Sequence, residues 1–207
     1  MARSKSFDPD VALRKAMQLF WRHGYEATSI DDLVQAMGVN RASLYATFGD
    51  KWSLFLKALD RYVDTVLAPR LEVLERSASP LEGLRAVFAE LVTFAAGDPQ
   101  RRGCLAVNTT CELASRESEV AELLRRYVGT LEGRLTRVIA RAQALGEVPR
   151  GHDPAALARF LAVVIDGLRV RSKLLPDGRG LASAAEFAVA ALGVERAGAQ
   201  SPLRDEY

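Results

Sequence analysis

Arg41, Ser43, Tyr45, Thr47 and Lys51 place a guanidinium, hydroxyls and an ammonium in one short stretch, "RASLYATFGDK". No general base stands beside any of these hydroxyls, so the chemistry on offer is hydrogen bonding and charge rather than bond making. Arg41 has the reach to bond the O6 and N7 of a guanine, or else a phosphate. Ser43 suits a base edge or a phosphate, and the Tyr45 and Thr47 hydroxyls suit phosphate oxygens. The interleaved Ala42 and Ala46 carry only methyls. They would let a helix backbone approach a major groove about 12 Å wide and touch thymine methyls there. Lys51 opens a helix, where the dipole disfavours a cation, but where unbonded amides and an ammonium together can clamp a phosphate. Taken singly, Tyr45 reads more readily as an exposed aromatic and Lys51 as a solvated charge. The arrangement is what carries specificity.

A second group is Cys104, Val107, Asn108 and Cys111 in "GCLAVNTTCELAS". At i, i+3, i+4 and i+7 they share one helix face. They could line a cavity, or be small core residues with Asn108 bonded to backbone. Cys104 follows Arg101 and Arg102 at a helix start, surroundings that stabilise a thiolate, so it reads either as a sensor of electrophiles or oxidants or as a core residue. Cys111 lacks those features and is expected to be buried. Along a helix the two sulfurs would stand about 10 Å apart, beyond the roughly 7 Å limit between disulfide-bonded residues. Two thiols without a CxxC or a nearby histidine do not make a zinc site, and no metal is expected.

The rest of the chain narrows the classes. There is no Gly-rich phosphate loop and no evident nucleophile paired with His23 or His152. Neither catalytic residues nor a cofactor are therefore expected, and a helical small-molecule enzyme is the outlying alternative. The 207 residues carry a net charge of only +2, too little for an architectural nucleic-acid binder coated in positive charge. "MARSKSFDPD" has no apolar segment, and no window approaches the roughly 18 apolar residues of a membrane span. The expectation is a soluble, cytoplasmic chain with no membrane partner.

Helical periodicity runs nearly throughout, broken by Pro and Gly clusters rather than alternating β-branched runs, so the fold class is all-α. A first helix starts at Asp8-Pro9 and stops at "HG". Thr28 or Ser29 caps a second carrying Asp31 and Asp32 in its first turn. Gly38 permits the turn, Asn40 caps a third short helix, and Gly49 ends it. Two short helices joined by a tight glycine turn make a helix-turn-helix. Leu44 and Phe48 face inward and Ala42, Ser43 and Ala46 outward. A long helix follows from Trp52 to about Arg76, then helices at about 80–96, 103–115, 117–145, 154–175 and 181–192. Residues 1–51 would form a small helix-turn-helix head and 52–193 a larger helical body, to which the family resemblance given next assigns DNA binding and effector binding with dimerisation, with 194–207 a flexible tail.

"GYEATSIDDLVQAMGVNRASLYATFGDK" resembles the DNA-binding domain of TetR-family transcriptional regulators. Gly24, Tyr25, Thr28, Gly38, Val39, Leu44, Tyr45, Phe48 and Lys51 match the family pattern. The resemblance implies that Thr28, Tyr45 and Lys51 hold phosphates and that Arg41, Ala42, Ser43 and Thr47 lie in or beside the groove, with Asn40 at the head of the reading helix. Val34 and Met37 stand where the family usually has alanines, and Thr47 where a histidine is common. The family also implies an apolar pocket in the body whose ligand changes the spacing of two heads and weakens DNA binding.

Helix 154–175 has two apolar stripes, more than one core can bury, and helix 181–192 is apolar on several sides. The pair is expected to meet a second copy around a two-fold axis, with Phe160, Val164, Leu168 and Ala188 at the interface. The alternative places both helices centrally within a monomer. Asp166 is expected to pair with Arg169. The reading that results is a homodimeric repressor on a near-palindromic double-stranded operator, released by a small apolar or electrophilic molecule. A thiol regulator working through Cys104 is the alternative.

Overall fold

The computed structural model describes residues 7–175 and 178–193; the expected tail, 194–207, lies outside them. Among the described residues there are ten α-helices, a π-turn and a short terminal 3-10 turn, and no strand.

The head is built from α1 (Pro9–His23), α2 (Ile30–Met37), α3 (Arg41–Phe48) and the start of α4 (Lys51–Tyr62). Asp8 caps α1, accepting from the amides of Asp10 and Val11. Ser29, not Thr28, caps α2, in a reciprocal box with Asp32 that satisfies two amides at once. Gly38 turns the chain at φ 71°, a left-handed conformation that side chains with a Cβ resist. Phe20, Leu33, Leu44, Leu54 and Phe55 are fully buried between these helices. Met37 is buried as well and Val34 half-buried, so the two bulky departures from the family pattern are absorbed by the head's own core. Asp10 on α1 is ion-paired with Arg61 on α4.

The long helix expected from Trp52 to Arg76 carries a fault. After α4 comes a π-turn (Val63–Leu67), then α5 (Ala68–Arg76). Pro69 has no amide to bond the carbonyl four residues back, and the amide of Ala68 bonds the Val63 carbonyl five residues back. The helix therefore continues with one widened turn rather than breaking.

The body continues with α6 (Pro80–Ala96), α7 (Leu105–Leu113), α8 (Ser118–Ala144), α9 (Pro154–Arg171) and α10 (Arg179–Ala190). Helix α8 packs along α9, and α6 against α5 and α10. Leu124, Leu131, Leu135, Ile139, Leu161 and Ile165 fill the space between them. No described helix is long and apolar enough to cross a membrane.

Candidate nucleic-acid interface

On α3, Leu44 and Phe48 point into the head while Ala42, Tyr45 and Ala46 are exposed and Ser43 and Thr47 half-buried. The expected outward face of short side chains is therefore present. Asn40 caps the helix, its side-chain oxygen accepting from the Ser43 amide at 2.8 Å, which commits that side chain to local structure. Arg41 is also engaged: its Nη2 lies 2.6 Å from Asp31 Oδ1 on α2. The guanidinium must leave that carboxylate to meet a base or a phosphate.

Two of the phosphate-holding assignments change in detail. Thr28 is 1% exposed, and its hydroxyl donates to the Gly24 carbonyl at 2.6 Å. Its side chain fastens the α1–α2 turn and is not presented to a ligand. Lys51 is half-buried, with its ammonium 4.2 Å from the centre of the Tyr25 ring, a cation–π contact. Beside it Asp50 takes the Ser53 amide at 2.7 Å, so not every amide at the start of α4 is open to a phosphate. Tyr45 is 45% exposed at the edge of the same face.

The head is tied to the body through α7 and the loop before it. Glu112 on α7 accepts from the amides of Tyr25 and Glu26, at 3.1 and 2.8 Å, and these amides lie in the turn between α1 and α2. Gly24 has φ 82°, and a Cβ there would sit 2.7 Å from Glu112 Oε2. The Trp21 indole donates to the Gly103 carbonyl at 3.2 Å, and Trp52 donates to Glu119 on α8 at 2.9 Å. Arg102 stacks 4.2 Å from the Trp21 ring centre and donates to Asp98 and Gln18.

Inside the body is a cavity of about 50 Å³, whose lining includes Leu71, Phe88, Leu131, Gly103, Cys104 and Arg169. The sequence grouping of Cys104, Val107, Asn108 and Cys111 does not survive here. Cys104 is the N-cap of α7, with extended backbone angles of −119° and 127°, so it lies off the helical wheel that joined it to the other three. It is 2% exposed, while Cys111, expected to be buried, is exposed. Asn108 faces away from the cavity lining, donating to the Arg102 carbonyl at 2.8 Å and accepting from Lys173 at 3.1 Å. Val107 is half-buried and also outside the lining.

Arg102 is committed to Asp98 and Gln18 rather than turned on Cys104. The sulfur instead accepts from the Tyr62 hydroxyl at 3.4 Å. Burial pushes the Tyr62 hydroxyl well above its ordinary pKa, with Cys104 adding to the effect. Burial likewise raises Tyr127, with Arg169 pulling the other way. Arg169 donates to the Tyr127 hydroxyl at 3.3 Å, and its Nη1 is 3.6 Å from Asp166 Oδ1. The expected Asp166–Arg169 pair is thus present but long. Burial raises the Asp166 carboxyl above its ordinary pKa, and Arg169 partly offsets this. That Arg169 faces a cavity was not legible in its i, i+3 partnership with Asp166, which fixes neighbours on a helix but not which helix lies opposite.

The expected dimer residues divide. Phe160 is 44% exposed and Val164 half-buried, but Leu168 and Ala188 are buried within the protomer and cannot form an outer surface. The exposed stripe runs instead through Phe160, Val163 (71%) and Val170 on α9 and Phe187 (74%) on α10. The exposed stripe is on the two helices that the periodicity singled out, but its phase is displaced.

Residues 12–58 match the family described as "Bacterial regulatory proteins, tetR family", and residues 80–188 match "Tetracyclin repressor-like, C-terminal domain". The chain is 37% identical over 172 residues to the HTH-type transcriptional repressor ComR of Escherichia coli (83% of this chain, 82% of ComR). It is 30% identical over 179 residues to the transcriptional regulator AcuR of Cereibacter sphaeroides (82% and 81% of the two chains). A cysteine mutant of the TetR-family regulator CifR, complexed with 26 bp double-strand operator DNA, superposes with TM-score 0.82 at 33% identity, covering 92% of this chain and 100% of that one. The head with its reading helix and the helical body are thus matched together, along most of the length of both partners, and the chain belongs to the TetR family of helix-turn-helix transcriptional regulators.

Proposed function

We propose that the protein is a homodimeric repressor that lays α3 in the major groove of a near-palindromic operator and is released by a small molecule entering the body cavity. The observation that carries the reading is the exposed face of α3: Ala42 and Ala46 outward, Tyr45 beside them, Arg41 at its start and Lys51 just beyond it at the head of α4. Short side chains there permit close approach, and the two cations bracket the approach path. The ComR name and the operator complex of CifR support repression and duplex binding. The exposed stripe of α9 and α10 supports pairing, which would set two reading helices about one helical turn, or a multiple of one, apart.

A mobility shift against the DNA upstream of the chain's own gene tests this, across a range of salt. Lys51→Ala should weaken binding to every sequence alike and flatten the salt dependence by about one counterion. Unchanged affinity and slope would remove Lys51 from the phosphate contacts. Absence of any sequence preference in the wild type would overturn the operator reading.

The position of Cys104 in the cavity wall favours a second reading, release by a thiol-reactive effector. Since the sulfur is buried, such a reagent has to arrive through the cavity. Cys104→Ser should then abolish release by a quinone or an aldehyde, whereas undiminished release excludes this route.

A further inference from the structure

We propose that the body cavity takes a small organic anion, a monocarboxylate of a few carbons whose head meets Arg169. The proposal rests on the cavity being the effector site and adds the chemical class of the effector.

Arg169 is a permanent cation whose side chain is only 13% exposed. A guanidinium offers five N–H donors. Among the described residues Arg169 makes one hydrogen bond, to the Tyr127 hydroxyl. Its one nearby carboxylate, Asp166, is 3.6 Å away and 46% exposed, so the pair is longer than a hydrogen bond and the carboxylate is shared between Arg169 and solvent. A guanidinium withdrawn from water to that degree is incompletely compensated. A carboxylate arriving from the cavity side can accept two parallel N–H bonds from it.

The other charges agree in sign. The lining carries Arg70, Arg101 and Arg169 against a single acid, Asp98; Arg70 is already paired with Glu90 at 3.1 Å, which leaves Arg101 and Arg169. Asp98 is already neutralised by Arg102 at 3.1 Å and by the amides of Gln100 and Arg102. No lining carboxylate therefore stands uncommitted to repel an anion, and a cationic ligand would meet like charge. Tyr62 and Tyr127 lie at the same end, Tyr127 bonded to Arg169 and both hydroxyls pushed above their ordinary pKa chiefly by burial. The remainder is hydrocarbon, with Leu74, Leu84, Val87 and Leu135 along its walls. The ligand must therefore be apolar behind its head. A cavity of about 50 Å³, a few times the roughly 10–15 Å³ that admits one water, takes only a small molecule before the walls must move. That limit sets the chain length.

The test uses the purified full chain, titrated with acetate, propionate, butyrate, hexanoate and octanoate and with the chain-matched primary alcohols. The readouts are melting temperature and release from operator DNA. Propionate and butyrate should act at about ten- to a hundredfold lower concentration than propanol and butanol. Arg169→Lys should keep the preference for the acid. Arg169→Met should lose it, acids and alcohols of equal length then acting at similar concentrations. Equal response to acids and alcohols, or an acid preference that persists in Arg169→Met, overturns the anionic head. The wild-type comparison decides this alone if the Met variant does not fold. A response that rises steadily to octanoate overturns the size limit. If no acid and no alcohol of any length shifts melting or releases DNA, the cavity is not the effector site and the underlying reading fails with the proposal.

Discussion

Asp31 and Arg41 show how the residue proposed to read DNA is held in the unbound protein. The pair is exposed on both sides, at 57% and 75% of the side chains, so water screens it and exchange for a phosphate or guanine is inexpensive. Asp31 also contributes a negative charge close to where DNA would lie. Asp31→Asn should therefore tighten binding to all duplexes several-fold and steepen the salt dependence by about one unit, while Arg41→Ala should relax preference at one operator position. Binding isotherms at several salt concentrations, on operator and on scrambled DNA, check both outcomes. A drop in affinity for Asp31→Asn would mean that the carboxylate positions Arg41 productively rather than restraining it.

Helix α7 is the element on which head and cavity meet. Its N-cap, Cys104, belongs to the cavity wall, and two turns on Glu112 grips the turn between α1 and α2. A displacement of the wall has a short, hydrogen-bonded path to the head. Glu112→Ala leaves two amides without their acceptor, at a cost of about 1–2 kcal/mol given their partial exposure. Its larger effect should be on regulation: operator binding within a fewfold of wild type, but release by effector weakened or lost. Unaltered release would show that the signal travels through α4 instead. The Glu112 contact was not legible because it joins residues far apart in sequence, and no local period encodes that. What period and caps do encode was read well. Helix α6 begins and ends where "SP" and "GDP" place it, and Asn40 and Gly38 mark the helix-turn-helix. Cys104 was misplaced because a helical wheel assumes helical angles at every position, and an N-cap does not have them.

At the scale of the molecule, the exposed apolar stripe of α9 and α10 is the surface a single protomer leaves unfinished. Val163 and Phe187 should be its centre, since Leu168 and Ala188 are already spent on the protomer's own core. Phe187→Glu should give a folded monomer in sedimentation or light scattering, with operator affinity reduced at least about tenfold because the two half-sites are no longer read together. A dimer that persists in both Phe187→Glu and Val163→Glu would move the interface elsewhere. Which helices leave apolar surface exposed was legible from their excess of apolar residues. Their rotation was not, because a helix apolar on two sides does not say which side its own core will claim.

The widened turn at Val63–Leu67 lies on the rod that joins the two working ends, and it holds a spare link. Deleting a single residue there should let the rod close into regular winding, leaving each end facing as before. Inserting one would instead screw the head around the rod by about 100° and point its two copies away from a common stretch of duplex. The spacer should thus tolerate shortening by one step and not lengthening, which operator binding by the two length variants would show.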